Sequence, residues 1–227
     1  MPYVGNDIVD LNEPCARERS RNIRFVNRVF IPDEQRQIFD SPNPDVILWA
    51  LWTGKETAYK IISKSIPDVP FIPLLYKVSM FRVGSYKARL PGEDNCILGF
   101  VDTPGGKIDI KIFIACEYVH CIGAKDFSEG VDSLIWKVDL LPQPEITPGY
   151  ESIFLREAVK KHLSMILNRI PEDIDIRRSE GRVSPPVVYL RDEPAGVDIS
   201  LSHDGKFTAY AFIIPGGNVS SCDKISL

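Results

Sequence analysis

The chain has 227 residues, 44% of them hydrophobic and 26% charged, with a formal net charge of −4. That is enough for one large domain or two small ones around a sizeable core, and the composition is that of a soluble globular protein. The negative balance argues against a general nucleic-acid binder, and no run of about 18 apolar residues is present to cross a membrane.

Residues 1–7 hold neither a basic region nor an apolar signal core, so the expected location is the cytoplasm. The five cysteines are scattered and odd in number, and no C-x-x-C pair occurs. They read as free thiols in a reducing compartment. His120 and Cys121, with Cys116 nearby, offer metal-ligand types, but no second pair completes a zinc site and strand packing is the simpler reading.

Residues 3–11 read as a short strand with Val4, Ile8, Val9 and Leu11. It carries Asp7 and Asp10, which strand propensity disfavours. Arg17, Arg21, Arg24 and Arg28 follow at steps of four, three and four, which predicts one helix with an arginine stripe opposite Phe25, Val29 and Phe30. The stripe is either a solvated face or a docking face for an acidic partner or a phosphate. Pro32-Asp33-Glu34 starts a second short helix, with proline in its first turn and acids at its positive end. Residues 40–44, Asp-Ser-Pro-Asn-Pro, break it.

A long helix is expected over 45–64. Trp49, Leu51, Trp52, Ile61 and Ile62 recur at helical spacing, and Glu56 and Lys60 lie one turn apart on one face. By itself that pair reads as a surface ion pair over a core stripe. Candidate strands follow at 76–83, 86–90, 96–101, 107–116 and 134–138, forming an antiparallel meander. The segment 107–114 alternates polar and apolar residues, after a Pro104-Gly105-Gly106 turn. Neither G-x-G-x-x-G nor G-x-x-x-x-G-K is present.

Three prolines within 141–149 mark a linker. Residues 150–168 predict an amphipathic helix whose apolar side is Ile153, Phe154, Ala158, Leu163, Ile166 and Leu167. Residues 171–176 lead into a strand and 181–186 form a loop. Strands are expected over 197–203 and 207–214, and the tail from 215 is polar.

Taken singly, Asp7, Glu56 and His203 are weak signals. Together, two carboxylates from a strand and a helix can hold a hard cation beside a phosphate, and Lys60 is one turn away to meet that phosphate. At these residues the sequence resembles the 4′-phosphopantetheinyl transferase superfamily. Gly5-Asn6-Asp7-Ile8 is similar to the family's G-x-D motif. Arg24-Phe25 through Arg28-Val29-Phe30 to Glu34 and Phe39 resembles the segment that follows it in the acyl-carrier-protein synthase branch. Trp52 through Lys60 resembles W-x-x-K-E-x-x-x-K, and Ile199 through Asp204 resembles S-x-S-H.

The resemblance implies an α+β phosphopantetheinyl-transferase-like fold of two similar halves forming a pseudo-dimer, residues 1–145 and 146–227. The G-x-D and K-E half comes first here, the reverse of the order in the longer branch of the family. It implies a transfer of 4′-phosphopantetheine from coenzyme A to a serine of an acyl or peptidyl carrier protein, as in holo-acyl-carrier-protein synthases and lipid biosynthesis. Adenosine 3′,5′-bisphosphate would be released. By the same resemblance Asp7 and Glu56 bind Mg²⁺, and Glu56 and Lys60 are catalytic, Lys60 also touching the reacting phosphate. Ser202 and His203 bind the 3′-phosphate end of coenzyme A, and Arg182 holds its nucleotide. Arg17, Arg21, Arg24 and Arg28 become the docking stripe for an acidic carrier. No nucleic acid or membrane partner is implied, and a two-half chain can act as a monomer. The G-[KR]-P loop is imperfect, since Val183 follows Gly181-Arg182 and the proline lies at 185. A third acid two residues after Asp7 is replaced by Val9. Two other readings stay open from sequence alone: a non-catalytic coenzyme A binder, and an interaction protein.

Overall fold

The computed structural model describes residues 2–66, 68–81, 96–126, 134–142, 149–178 and 184–214. The architecture is α+β. Strand β1 (Tyr3–Asp10) lies at one edge of a five-stranded antiparallel sheet. The other strands are β2 (Lys77–Phe81), β3 (Cys96–Thr103), β4 (Gly106–Ile114) and β5 (Tyr118–Lys125), in the order β1-β5-β4-β3-β2. The expected antiparallel meander is therefore present over β2, β3 and β4, and β5, which was not expected, extends it to β1. The candidate strand at 86–90 and the Arg182 loop lie outside the described residues.

Helix α3 (Pro44–Ser65) covers one face of this sheet. Pro44 and Asp45 occupy its first turn, where a missing N–H and a negative charge are both favourable. It stops at Ile66, whose extended backbone suits a residue preceding proline. Its buried side, including Leu51, Ala58, Ile61 and Ile62, packs on Val78, Val101, Ile108, Ile110 and Ile112 in one core. No helix among the described residues is long and apolar enough to cross a membrane.

The expected single arginine helix does not form. Glu18 N–H and Ser20 N–H both donate to the Asp45 carboxylate, at 2.7 and 2.8 Å, which ties this segment to the start of α3 as a single 3-10 turn, Arg19–Arg21. Asn22 then caps a separate helix α1 (Ile23–Val29), its side chain accepting from Phe25 N–H at 3.0 Å. Helix α2 (Pro32–Phe39) follows as expected. Arg17, Arg21, Arg24 and Arg28 are all exposed, but only Arg24 and Arg28 share a helix, and Arg21 pairs with Glu18.

A second layer holds β6 (Ile135–Leu140), β10 (Asp198–Asp204) and β11 (Phe207–Ile213), in the order β10-β11-β6. Thus β6, expected at the end of the first meander, instead pairs antiparallel with β11. A small sheet of β7 (Ile174–Arg178), β8 (Pro186–Leu190) and β9 (Glu193–Pro194) flanks helix α4 (Tyr150–Leu167). The line of α4 that is buried is Leu155, Val159 and Leu163, whereas Ile153, expected inside, is 63% exposed. The helix is apolar on several sides, so its stripe is fixed by steps of four against the sheet and not by apolar count. The two layers meet where β1, β4 and β5 face β11: Val4, Phe113 and Ile122 pack on Ala211 and Ile213, and Ile8 packs on Phe207 and Ala209.

Candidate active site

The site begins with a match of two periods. Four residues of helix rise about 6 Å, and two residues of strand rise about 6.7 Å. Helix α3 uses this to run one side-chain line along the backbone of β1. Lys64 Nζ donates to Val4 carbonyl oxygen at 2.7 Å, and Lys60 Nζ donates to Asn6 carbonyl oxygen at 2.9 Å. Glu56 is the next step on the same line. The approach depends on Gly5, because a Cβ there would stand 2.4 Å from the Thr57 carbonyl oxygen and 2.8 Å from Ile61 Cγ1. This is a steric reason for glycine two residues before Asp7.

Asp7 is 8% exposed, and two donors converge on its Oδ1: Lys60 Nζ at 2.9 Å and Ser202 Oγ at 2.9 Å. Its Oδ2 has no hydrogen bond among the described residues, and neither oxygen of Glu56 has one. Burial pushes the Glu56 carboxyl up to about 7, and the charge of Asp7 adds to this while Lys60 opposes it. Two adjacent carboxylates with free oxygens are hard-oxygen donors of the kind that suit Mg²⁺, so the side chains present fit that ion. No group of three or more His, Cys, Asp or Glu side chains able to hold a metal occurs among the described residues. His120 is fully buried, and burial holds its imidazole down to about 3, hence neutral. Asn6 Nδ2 lies 3.4 Å from its Nε2.

A cleft of about 430 Å³ opens beside these carboxylates. Asp7, Glu56, His203 and Asp204 line it, together with Phe25, Trp49, Trp52, Cys15 and Arg19. The structure therefore brings Asp7, Glu56 and His203 to one cleft from β1, α3 and β10. Ser202 and Lys60 touch Asp7 but are not among the lining residues. Trp49 anchors the turns before α1, its Nε1 donating to the Ala16 carbonyl oxygen at 2.8 Å, and with Trp52 and Phe25 it forms an aromatic wall.

Three parts of the site escape sequence reasoning. Arg19, two residues after the first member of the expected stripe, lies 4.0 Å over the Phe25 ring, and its Nε is buried without a partner among the described residues. Lys64 is buried and salt-bridged to Asp198 at 2.7 Å. Asp204 follows His203 on the cleft, and burial together with Asp7, Glu13 and Asp10 raises its carboxyl while its hydrogen bond from Asp10 N–H lowers it. Only the i, i+4 spacing from Lys60 to Lys64 left a trace in the sequence.

Residues 3–97 match the model of the 4′-phosphopantetheinyl transferase superfamily. The match bears out the resemblance over the segment that supplies Asp7, Glu56, Lys60 and the cleft's aromatic wall. Ser202 and His203 lie beyond it. The superfamily is one of transferases, and its name states the group moved, phosphopantetheine. No curated protein matches the chain.

Proposed function

We propose that this protein transfers the 4′-phosphopantetheine group of coenzyme A to a serine hydroxyl of an acyl or peptidyl carrier protein. The observation that carries the reading is the convergence of Asp7, Glu56 and His203 on one cleft, with Lys60 bonded to Asp7. Asp7 and Glu56 would hold Mg²⁺ through their free oxygens. When bound, that ion neutralises charge on the pyrophosphate. His203, exposed at the end of β10, binds the 3′-phosphate end of coenzyme A. Lys60 has spent two of its three donors on Asn6 and Asp7, which leaves one for the reacting phosphate. The serine oxygen attacks the phosphorus that bears the pantetheine, and the bond to the bridging oxygen breaks. Adenosine 3′,5′-bisphosphate leaves, and a carboxylate, Glu56 directly or through water, takes the serine proton.

The same reading makes the chain a pseudo-dimer with its halves in swapped order. The cleft then lies between β1–α3 of one half and β10 of the other, and β6, although it falls within residues 1–145, pairs with β11 and so joins the sheet of residues 146–227. Apo carrier protein incubated with coenzyme A and Mg²⁺ should gain the mass of one phosphopantetheine on one serine. Glu56→Ala should lower the rate by at least about 100-fold without unfolding the protein. No mass gain with any apo carrier from fatty-acid, polyketide or peptide synthesis would overturn the reading.

A further inference from the structure

Strand β1 has one edge on β5 and one edge without a backbone partner strand among the described residues. The N–H groups of that second edge belong to Val4, Asn6, Ile8 and Asp10. Each is taken by a side chain of β10: Asp198 Oδ2 at 2.6 Å, Ser200 Oγ at 2.9 Å, Ser202 Oγ at 3.2 Å and Asp204 Oδ2 at 2.8 Å. The sequence offset is 194 at every rung, so the two strands run in the same direction and keep one register. Side chains at every second position share one face of a strand, so four short oxygen-bearing residues can satisfy four donors in a row.

The rung at Ser202 differs from its neighbour at Ser200. While accepting from Ile8 N–H, the Ser202 hydroxyl also donates to Asp7 Oδ1. A serine hydroxyl has one proton, and this one is committed. Ser202 is 6% exposed and is not among the cleft-lining residues, whereas His203 is. A phosphate needs donors, and Ser202 has none left to offer. We propose that Ser202 is a positioning residue for Asp7 and not a ligand of the coenzyme A phosphate. The proposal rests on the transferase reading above.

What Ser202 does follows from the two bonds on Oδ1. With Lys60 it pins one oxygen of Asp7 and so fixes the carboxylate's rotation, leaving Oδ2 without a hydrogen bond among the described residues. The register that sets Ser202 is held one step away. Lys64 Nζ donates to Val4 carbonyl oxygen, Asp198 Oδ2 and Ile199 carbonyl oxygen, four residues along α3 from Lys60 and four along β10 from Ser202. Groups that orient a metal ligand commonly change metal affinity by about 10- to 100-fold when removed.

The test uses the full chain and two binding titrations: Mn²⁺ as a Mg²⁺ surrogate without nucleotide, and adenosine 3′,5′-bisphosphate in EDTA. Wild-type protein binding neither would overturn the transferase reading and this proposal with it. With wild-type binding in hand, Ser202→Ala should weaken Mn²⁺ about 10-fold or more and leave the nucleotide within about twofold. Ser202→Thr, which keeps the hydroxyl, should restore Mn²⁺ binding. Ser200→Ala removes an equivalent rung without a bond to Asp7, and it should leave both affinities unchanged. Should Ser202→Ala fail to fold, Ser202→Cys, which keeps the volume with a weaker donor, is read in the same way. Nucleotide binding weakened with Mn²⁺ unchanged would make Ser202 a phosphate ligand. Both affinities unchanged, or both lost without rescue by threonine, would equally overturn the proposal.

Discussion

Lys55 and Glu56 are neighbours in the chain and opposites in environment. Lys55 is wholly buried with all its donors matched, while Glu56 is half-buried with no hydrogen bond among the described residues. The cost of that exposure to a low-dielectric wall is written in the Glu56 carboxyl, raised from 4.5 to about 7 by burial first and Asp7 second. The sign of its effect on stability follows. Between these two values the folded protein keeps a proton that the unfolded chain has released. The contribution is fully present below pH 4.5 and is lost as pH rises through about 7. In EDTA, the unfolding free energy should therefore fall between pH 5 and 8 more steeply in wild type than in Glu56→Gln. At pH 8 the variant should be the more stable by on the order of 1–3 kcal/mol, after allowance for solvent screening at a half-buried group. Urea unfolding at a series of pH values measures this. A variant with the same pH slope as wild type would show that Glu56 carries no such strain. Mg²⁺ should stabilise wild type at pH 8 and leave the variant little changed.

At the scale of elements, α3 is held on its two sides by unlike means. Toward β1 it uses the Glu56–Lys60–Lys64 line. Toward α2 and β2 it uses Lys55, whose Nζ donates to Glu34 at 2.8 Å, Pro73 carbonyl oxygen at 3.1 Å and Tyr76 carbonyl oxygen at 2.5 Å. Glu34 in turn accepts from Val78 N–H and Ile31 N–H, so one buried ion pair joins α2, α3 and β2. Lys55→Met leaves Glu34 charged and unpaired in the core, and should lower the unfolding free energy by about 3–5 kcal/mol. Lys55→Met with Glu34→Gln should recover part of that loss. Equal stability of the single and double variants by urea unfolding would refute the account. The helices α2, α3 and α4 and the strands β1 to β4, β10 and β11 were legible from periodicity and breakers. Strand β5 was not. It is buried on both faces, so Val119 through Ala124 show no alternation, and Gly123 and Ala124 carry little strand propensity. The arginine stripe misled because spacing cannot reveal that Asp45, more than 20 residues on, captures the N–H groups of Glu18 and Ser20. Asp7, Glu56 and His203 were legible as a set only through motif order. The β10 rungs were invisible, because side-chain pairing to a strand edge leaves no periodic signal beyond serines and aspartates at alternate positions.

At the scale of the whole molecule, charge poses a problem that local structure resolves. The chain carries a net charge of −4, and an acidic carrier protein would be repelled by such a surface as a whole. On the proposed transferase reading, encounter then depends on a local basic face beside the cleft. Arg24 and Arg28 supply one: they are exposed, one turn apart on α1, the helix that also contributes Phe25 to the cleft wall. Arg21 is a weaker candidate because it is already paired with Glu18, and Arg17 sits in a turn apart from α1. Reversing Arg24 and Arg28 together to Glu should raise the KM for carrier protein about 10-fold or more, chiefly through slower association, while affinity for coenzyme A stays within about twofold. The wild-type rate of association should fall steeply with added salt and the variant's should not, since screening acts on the attraction that the variant lacks. Reversing Arg17 and Arg21 should have the smaller effect. Equal loss from both pairs would restore the continuous four-arginine face that the turn at residues 18–22 argues against, and loss of coenzyme A binding would assign α1 to the nucleotide instead of the carrier.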